Sequence, residues 1–187
     1  MEESYIRNII KGDISQYSYF IEKYKDMAYT IASRITRNNE DAEEVVQDSF
    51  LKAYNGLSKF KANASFSTWF YKIVVNTSLT KAKRKLSFAA YVELDEINNV
   101  EDENINTAFA TLAKAEQKKM IYEVLAEMEI EDNLLLTLYY LNESSIEEIF
   151  EITAIPVQNI KMKLHRARKK MYRIFEGKLN KEMQCLL

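Results

Sequence analysis

Residues Asp41 to Arg84 read DAEEVVQDSFLKAYNGLSKFKANASFSTWFYKIVVNTSLTKAKR. In the first half, Ala42, Val45, Val46, Ser49, Phe50, Ala53 and Leu57 recur at helical spacing, so a helix here turns one apolar face toward a core. Asp41, Glu44 and Asp48 fall on the opposite face with Gln47 beside them, a row of three carboxylates and one amide. Asn38 or Asn39 is placed to cap this helix, and the carboxylates that follow suit its positive N-terminal end. Asn55 to Ser65 breaks the pattern with Gly56 and small polar residues and reads as a loop. Beyond Ser65 a second helix gathers Phe66, Trp69, Phe70, Ile73 and Val74 on an inner aromatic face, with Trp69 read as a core residue. Thr68, Tyr71, Lys72, Val75 and Asn76 are expected to face outward, and Lys81, Lys83, Arg84 and Lys85 close the segment with positive charge.

Working outward, only three glycines and one proline serve the whole 187-residue chain, which favours an all-α protein with short connections over any sheet. A single cysteine, Cys185, and a single histidine, His165, leave neither a disulfide nor a Cys/His metal site within one chain. No clustered catalytic constellation or glycine-rich phosphate loop is present, so neither an enzyme nor a cofactor is expected. No apolar run approaches the roughly 18 residues a membrane span needs, so a cytoplasmic protein without membrane insertion is expected.

The formal net charge is −2, but it is unevenly spread: residues 1–86 carry a net +4, residues 87–118 a net −5 and residues 119–187 a net −1. From Asp13 to Thr36, Tyr17, Phe20, Ile21, Tyr24, Ala28, Ile31 and Ile35 predict one long helix or two end to end. Ser87 to about Leu112 loses periodicity and gains acidic and amide residues, which reads as a linker. Helical pattern returns with Met120, Ile121, Val124, Leu125 and Met128, then Leu134, Leu135, Leu138 and Leu141.

Ser145 and Glu148 have capping-box spacing, opening a short helix with Ile146, Ile149, Phe150 and Thr153 inward. Ala154 and Ile155 make a turn, Pro156 suits the first position of the next helix, and Val157, Ile160, Leu164, Ala167 and Met171 form its seam. This is a helix-turn-helix pattern. Gln158, Asn159, Lys161, Met162, Lys163, His165 and Arg166 face out, a set able to read base edges and hold phosphates in a major groove.

The acidic helix, the KF-x-x-x-x-SFSTWFYKI run and the basic end together resemble the sigma-2 domain of bacterial RNA polymerase sigma factors, most closely the extracytoplasmic-function (ECF) type. The run SSIEEIFEITAIPVQNIKMKLHRARKK resembles the sigma-4 domain of the same family, in the expected order after the first. The resemblance implies a sigma-2-like domain over residues 1–86, an acidic linker over 87–112 and a sigma-4-like domain over 113–187. It further implies core RNA polymerase and promoter DNA as partners, together with an anti-sigma factor, and a linker directed toward the polymerase cleft. Asp41, Glu44, Gln47 and Asp48 would dock on polymerase. Lys59, Phe60, Asn63 and Ser65 would take an unstacked base of the minus-ten element, with Tyr71, Lys72, Asn76, Lys81 and Arg84 on the same element. Gln158, Asn159, Lys161, Met162, Lys163, His165 and Arg166 would serve the minus-thirty-five element.

The chain departs from the family's usual residues in places. Ala154 and Glu143 stand where glycine is usual, Met128 and Glu129 where Leu-Pro is usual, and Met162 where a small hydroxyl residue is common. Ala154 in a left-handed turn predicts a slightly adjusted turn, and Met162 a shifted upstream promoter preference. The rival reading is a helix-turn-helix regulator with an N-terminal sensing or dimerisation domain, which leaves the acidic row and the aromatic helix without a role.

Overall fold

The computed structural model describes residues 2–89, 120–121 and 123–185. The expected linker over 87–112 and the start of the second domain at 113 lie outside the described residues, except that 87–89 continue a helix. Among the described residues there is no strand. Contacts divide the chain into two compact units, Met1–Val100 with Glu147–Ala154, and Glu101–Ile146 with Ile155–Leu187.

The first unit opens with α1 (Glu2–Ile10), which the polar N-terminal sequence did not suggest. Ile6 and Ile9, three apart, are its buried stripe. Glu2 ties it down by accepting hydrogen bonds from the Tyr24 hydroxyl and the Lys23 amine, both at 2.6 Å. Burial alone would raise the Glu2 carboxyl, but these two bonds outweigh it and hold it below its ordinary value.

A single 3-10 turn, Ile14–Gln16, leads into α2 (Tyr17–Thr36), which ends where Arg37 turns left-handed at φ 52°. Asn38 caps α3 (Asn39–Gly56), its side-chain oxygen accepting the Asp41 N–H at 2.8 Å. The helix runs on to Gly56 and a 3-10 turn over Leu57–Lys59, so the loop is shorter than the sequence predicts. Ser65 then caps α4 (Phe66–Ala89), its hydroxyl oxygen accepting the Thr68 N–H at 3.2 Å.

Helices α2, α3 and α4 pack against one another. Aromatic rings fill the seam: Phe20 lies 4.3 Å from Phe66 and Phe50 lies 4.5 Å from Phe70, centroid to centroid. Ala42, Val45, Ser49, Phe50 and Ala53 of the acidic helix are buried as its spacing requires, as is Leu57 in the turn that follows, while Val46, expected on the same face, is half-buried. Because α4 is covered from two sides, its buried arc is wider than one apolar stripe. Thr68, Tyr71 and Val75, expected outside, are buried, while Lys72 and Asn76 are exposed.

In the second unit, residues 120–121 and 123–126 are helical, followed by α5 (Ile130–Leu136) and a π-helical turn over Thr137–Leu141. Val124, Leu125, Met128, Leu134, Leu135 and Leu138 form the core with Ile160, Leu164 and Ala167. Buried Asn133 satisfies the Leu125 carbonyl at 2.7 Å and accepts from the Thr137 hydroxyl at 3.2 Å. The π turn inserts an extra residue into the last turn, and the Asn142 N–H reaches back to the Thr137 carbonyl at 3.1 Å. That rotation takes Leu141 off the seam and leaves it exposed.

Two more helices complete the described chain, α6 (Ile146–Thr153) and α7 (Val157–Cys185). In α6 the buried pair is Ile149 and Ile152, and Phe150, expected inside, lies a quarter-turn off that stripe and is exposed. Ala154 ends the helix at φ 59°, with its N–H donating to the Phe150 carbonyl at 2.7 Å. The turn is fully left-handed with no adjustment for the Cβ, and Glu143 sits in the same conformation at φ 53°. Ala154→Gly is therefore expected to stabilise the protein by about 1 kcal/mol. Urea unfolding checks it as a higher midpoint at unchanged slope.

Candidate functional site

The acidic row sits on the first half of α3. Glu44, Gln47 and Asp48 are exposed and Asp41 is half-buried. Lys81, which the resemblance assigns to the minus-ten element, reaches back from α4 to this row. Its amine lies 2.5 Å from Glu44 and 3.4 Å from Asp41. The Glu44 hydrogen bond, foremost, lifts the Lys81 amine above its ordinary value despite slight burial. Two groups assigned to different tasks are thus one ion-pair cluster, joined because α3 and α4 are neighbours.

At the other end of the same helix pair lies an open groove of about 460 Å³. Lys52, Gly56 and Lys59 line one wall, and Trp69, Asn76 and Thr80 line the other. Gly56 allows the close approach, since a Cβ there would sit 3.3 Å from the Trp69 indole. The indole also packs on Phe60 at 5.1 Å and Phe66 at 5.6 Å, so Trp69 is half-buried and presents part of its ring to the groove, not wholly core. Lys52 donates to the Thr77 hydroxyl at 3.1 Å, which holds its amine at the groove wall.

Of the residues expected at the minus-ten element, the groove brings Lys59 and Asn76 together, with Phe60 beneath the indole. Asn63, Lys72 and Arg84 are exposed. Ser65 spends its oxygen on the α4 cap and on the Ser67 and Thr68 hydroxyls at 2.8 and 2.7 Å. Tyr71 is only 3% exposed, in edge contact with Tyr24 at 6.0 Å, and burial pushes its phenol up to about 12. Lys52, Trp69, Thr77 and Thr80 were not among the expected site residues. Their signal was available in the spacing, because Trp69, Asn76 and Thr80 share one helical face and Lys52, Gly56 and Lys59 share another.

On α7, Gln158, Asn159, Lys161, Met162, His165 and Arg166 are all exposed, and Met162 presents 53% of its surface. The Pro156 carbonyl accepts the Asn159 and Ile160 N–H groups at 2.8 and 3.0 Å, which sets the helix start just ahead of these residues. Lys163 differs, since its amine is paired with Glu131. Lys170 is 2.7 Å from Glu129 and 3.6 Å from Asp132, and Lys178 is 2.9 Å from Glu127. The Arg168 guanidinium lies 5.5 Å from the Tyr139 ring centroid.

Two family models match the chain. Sigma-70 region 2 matches residues 20–87 and sigma-70 region 4 matches residues 118–171, together well over half of the chain. The chain belongs to the sigma-70 family, as an ECF-type sigma factor. It is 27% identical over 170 residues to the ECF RNA polymerase sigma factor SigW of Bacillus subtilis, covering 87% of this chain and 90% of that one. It is 26% identical over 169 residues to the ECF RNA polymerase sigma-E factor of Escherichia coli, covering 87% and 88%. The fold is similar to that of the sigma factor RpoE solved with the anti-sigma factor NepR from Bartonella quintana, with TM-score 0.70, 16% identity and coverage of 84% of this chain and 96% of that one.

As a sigma factor the protein directs promoter-specific initiation by RNA polymerase and is not an enzyme, and the regulator alternative is not favoured. No helix among the described residues is long and apolar enough to cross a membrane. The burial of Tyr71 separates its role from that of its exposed neighbours. Tyr71→Phe is expected to leave binding of a minus-ten single strand unchanged, whereas Tyr71→Ala should cost about 3 to 5 kcal/mol of stability. Oligonucleotide titration and urea unfolding of both variants check the contrast.

Proposed function

We propose that the ECF sigma factor divides initiation among three surfaces: the acidic row on α3 for polymerase, the indole groove for the minus-ten element, and the outer face of α7 for the minus-thirty-five element. On this reading residues 1–86 form the docking and melting domain, 87–112 the tether and 113–187 the upstream-recognition domain. The observation that carries the proposal is the groove, which brings an aromatic face, an amide and two amines to one opening.

An unstacked base needs a π surface to replace its lost stacking and a polar group to meet its edge. Trp69 and Phe60 supply the first and Asn76 the second, while Lys52 and Lys59 can meet the flanking phosphates. Asn63, Lys72 and Arg84 extend the same basic and amide surface along the strand. Ser65 serves by holding the start of α4. On the upstream domain, Lys161, His165 and Arg166 can donate to base edges or phosphates, Gln158 and Asn159 can pair with base edges, and Met162 offers an apolar contact to a thymine methyl.

Each surface alone makes few contacts, so the free chain binds promoter DNA weakly and salt-sensitively. Held by polymerase at promoter spacing, the two domains act as one bivalent ligand. The solved RpoE relative is bound to an anti-sigma factor, and an anti-sigma partner that covers DNA-binding surface is part of this proposal. The working compartment is the cytoplasm, where the polymerase and its promoters are.

Two experiments test these assignments. Purified core RNA polymerase, supplied with the chain and a pool of promoter fragments, is expected to start transcripts at a shared two-element sequence, and Asp48→Arg should abolish them by reversing charge in the docking row. Unchanged transcription by the reversed variant would remove the row from docking. Trp69→Ala in the polymerase complex is expected to weaken binding of a minus-ten single strand by about 1 to 3 kcal/mol, with Trp69→Phe retaining most of it. Equal binding by wild type and Trp69→Ala would mean that no base stacks in the groove.

A further inference from the structure

Two sets stand out among the described cations of α7. Lys163, Lys170 and Lys178 point toward the preceding segments, where Glu131, Glu129 and Glu127 engage them, and Arg168 lies over the Tyr139 ring. Lys161, Lys169 and Arg173 are exposed and, with exposed His165, stand four residues apart. That spacing makes one ridge along the outer side of the helix. Glu176, three residues past Arg173, ends the run of positive charge.

From Lys161 to Arg173 the ridge rises roughly 18 Å at the helical pitch. A major groove is only about 12 Å wide. A helix whose first turns read base edges therefore carries the far end of this ridge past the bases, to the sugar-phosphate wall. We infer that Lys169 and Arg173 are phosphate anchors that fix the register of α7 on promoter DNA, beyond the turns that read sequence. The inference rests on the proposed role of α7 in upstream recognition.

The paired lysines sharpen the assignment. An amine already bonded to a carboxylate must give up that partner to meet a phosphate, so Lys163 and Lys170 contribute less than their charge suggests. The carboxylates of the preceding helices thus select which cations face DNA. Lys169 and Arg173 have none of those carboxylates against them, and their long side chains can follow a phosphate without disturbing the core.

The test is the salt dependence of promoter-fragment binding by the full chain assembled with core RNA polymerase. Replacing both anchors, Lys169→Gln with Arg173→Gln, is expected to reduce the slope of log K against log salt by about 1.8, two phosphates at roughly 0.9 each, with the preferred upstream sequence unchanged. Lys169→Arg with Arg173→Lys should keep the slope, showing that charge and not identity acts. The charge-neutral pair Lys170→Gln with Glu129→Gln should also keep it. A double-Gln variant with the wild-type slope overturns the inference, and so does a changed sequence preference, which would place these residues on bases. If the wild-type complex shows no promoter preference at all, the functional reading fails and takes the inference with it.

Discussion

Everything in the first unit depends on α4 being buried from two sides. A helix covered on one face can spread its polar residues over half its circumference. Helix α4 cannot, because α2 and α3 both lie against it, and the rings of Phe20, Phe50, Phe66 and Phe70 fill the space where the three meet. Burying a single such side chain is worth about 1.5 to 3 kcal/mol, so these rings dominate the local energetics. The polar work of α4 is then confined to the narrow strip that remains, which contains Trp69, Lys72, Asn76 and Thr80.

The same constraint explains why the sites form where they do. One edge of the strip meets the acidic half of α3, and Lys81 settles onto Asp41 and Glu44. The other edge meets the C-terminal turn of α3, where Gly56 removes a side chain and the groove opens against the indole. The acidic row and the indole groove are opposite ends of one helix-helix contact. A partner that reshapes the acidic end acts on the element that carries the groove.

Much of this was legible in the sequence, and the reasons for the rest are specific. The α3 face was readable because Ala42, Val45, Ser49, Phe50 and Ala53 keep a single period on a helix buried on one side. The reading of α4 failed at Tyr71, Thr68 and Val75 because a period says which residues share a face and not how many faces are covered. Helix α1 was missed because two isoleucines in a polar segment are too weak a signal, and its anchor, Glu2 to Tyr24, spans 22 residues. Leu141 was misplaced by a π turn, which shifts register without changing any local propensity. The left-handed turn at Ala154 was foreseen from the family's glycine, but its unrelaxed φ was not, since only the packed chain decides whether strain is absorbed or kept.

The second unit solves a different problem with the same means. A long helix rich in Lys and Arg repels itself, and like charges four apart on one face are destabilising. Here the carboxylates of the preceding segments, Glu123, Glu127, Glu129, Glu131 and Asp132, line up against Lys163, Lys170 and Lys178 along a single edge. Exposed ion pairs of this kind contribute little to stability individually. The buried seam of Ile160, Leu164 and Ala167 fixes which edge of α7 turns inward, and the ion pairs engage the lysines that flank that seam, leaving the outer cations to solvent. The sequence segregation of acid before base, which a net charge of −2 conceals, is what makes that selection possible. A chain with a net charge of −2 can still present a basic face, because its acidic and basic residues are segregated and part of its negative charge is spent on lysines at the inner edge of α7.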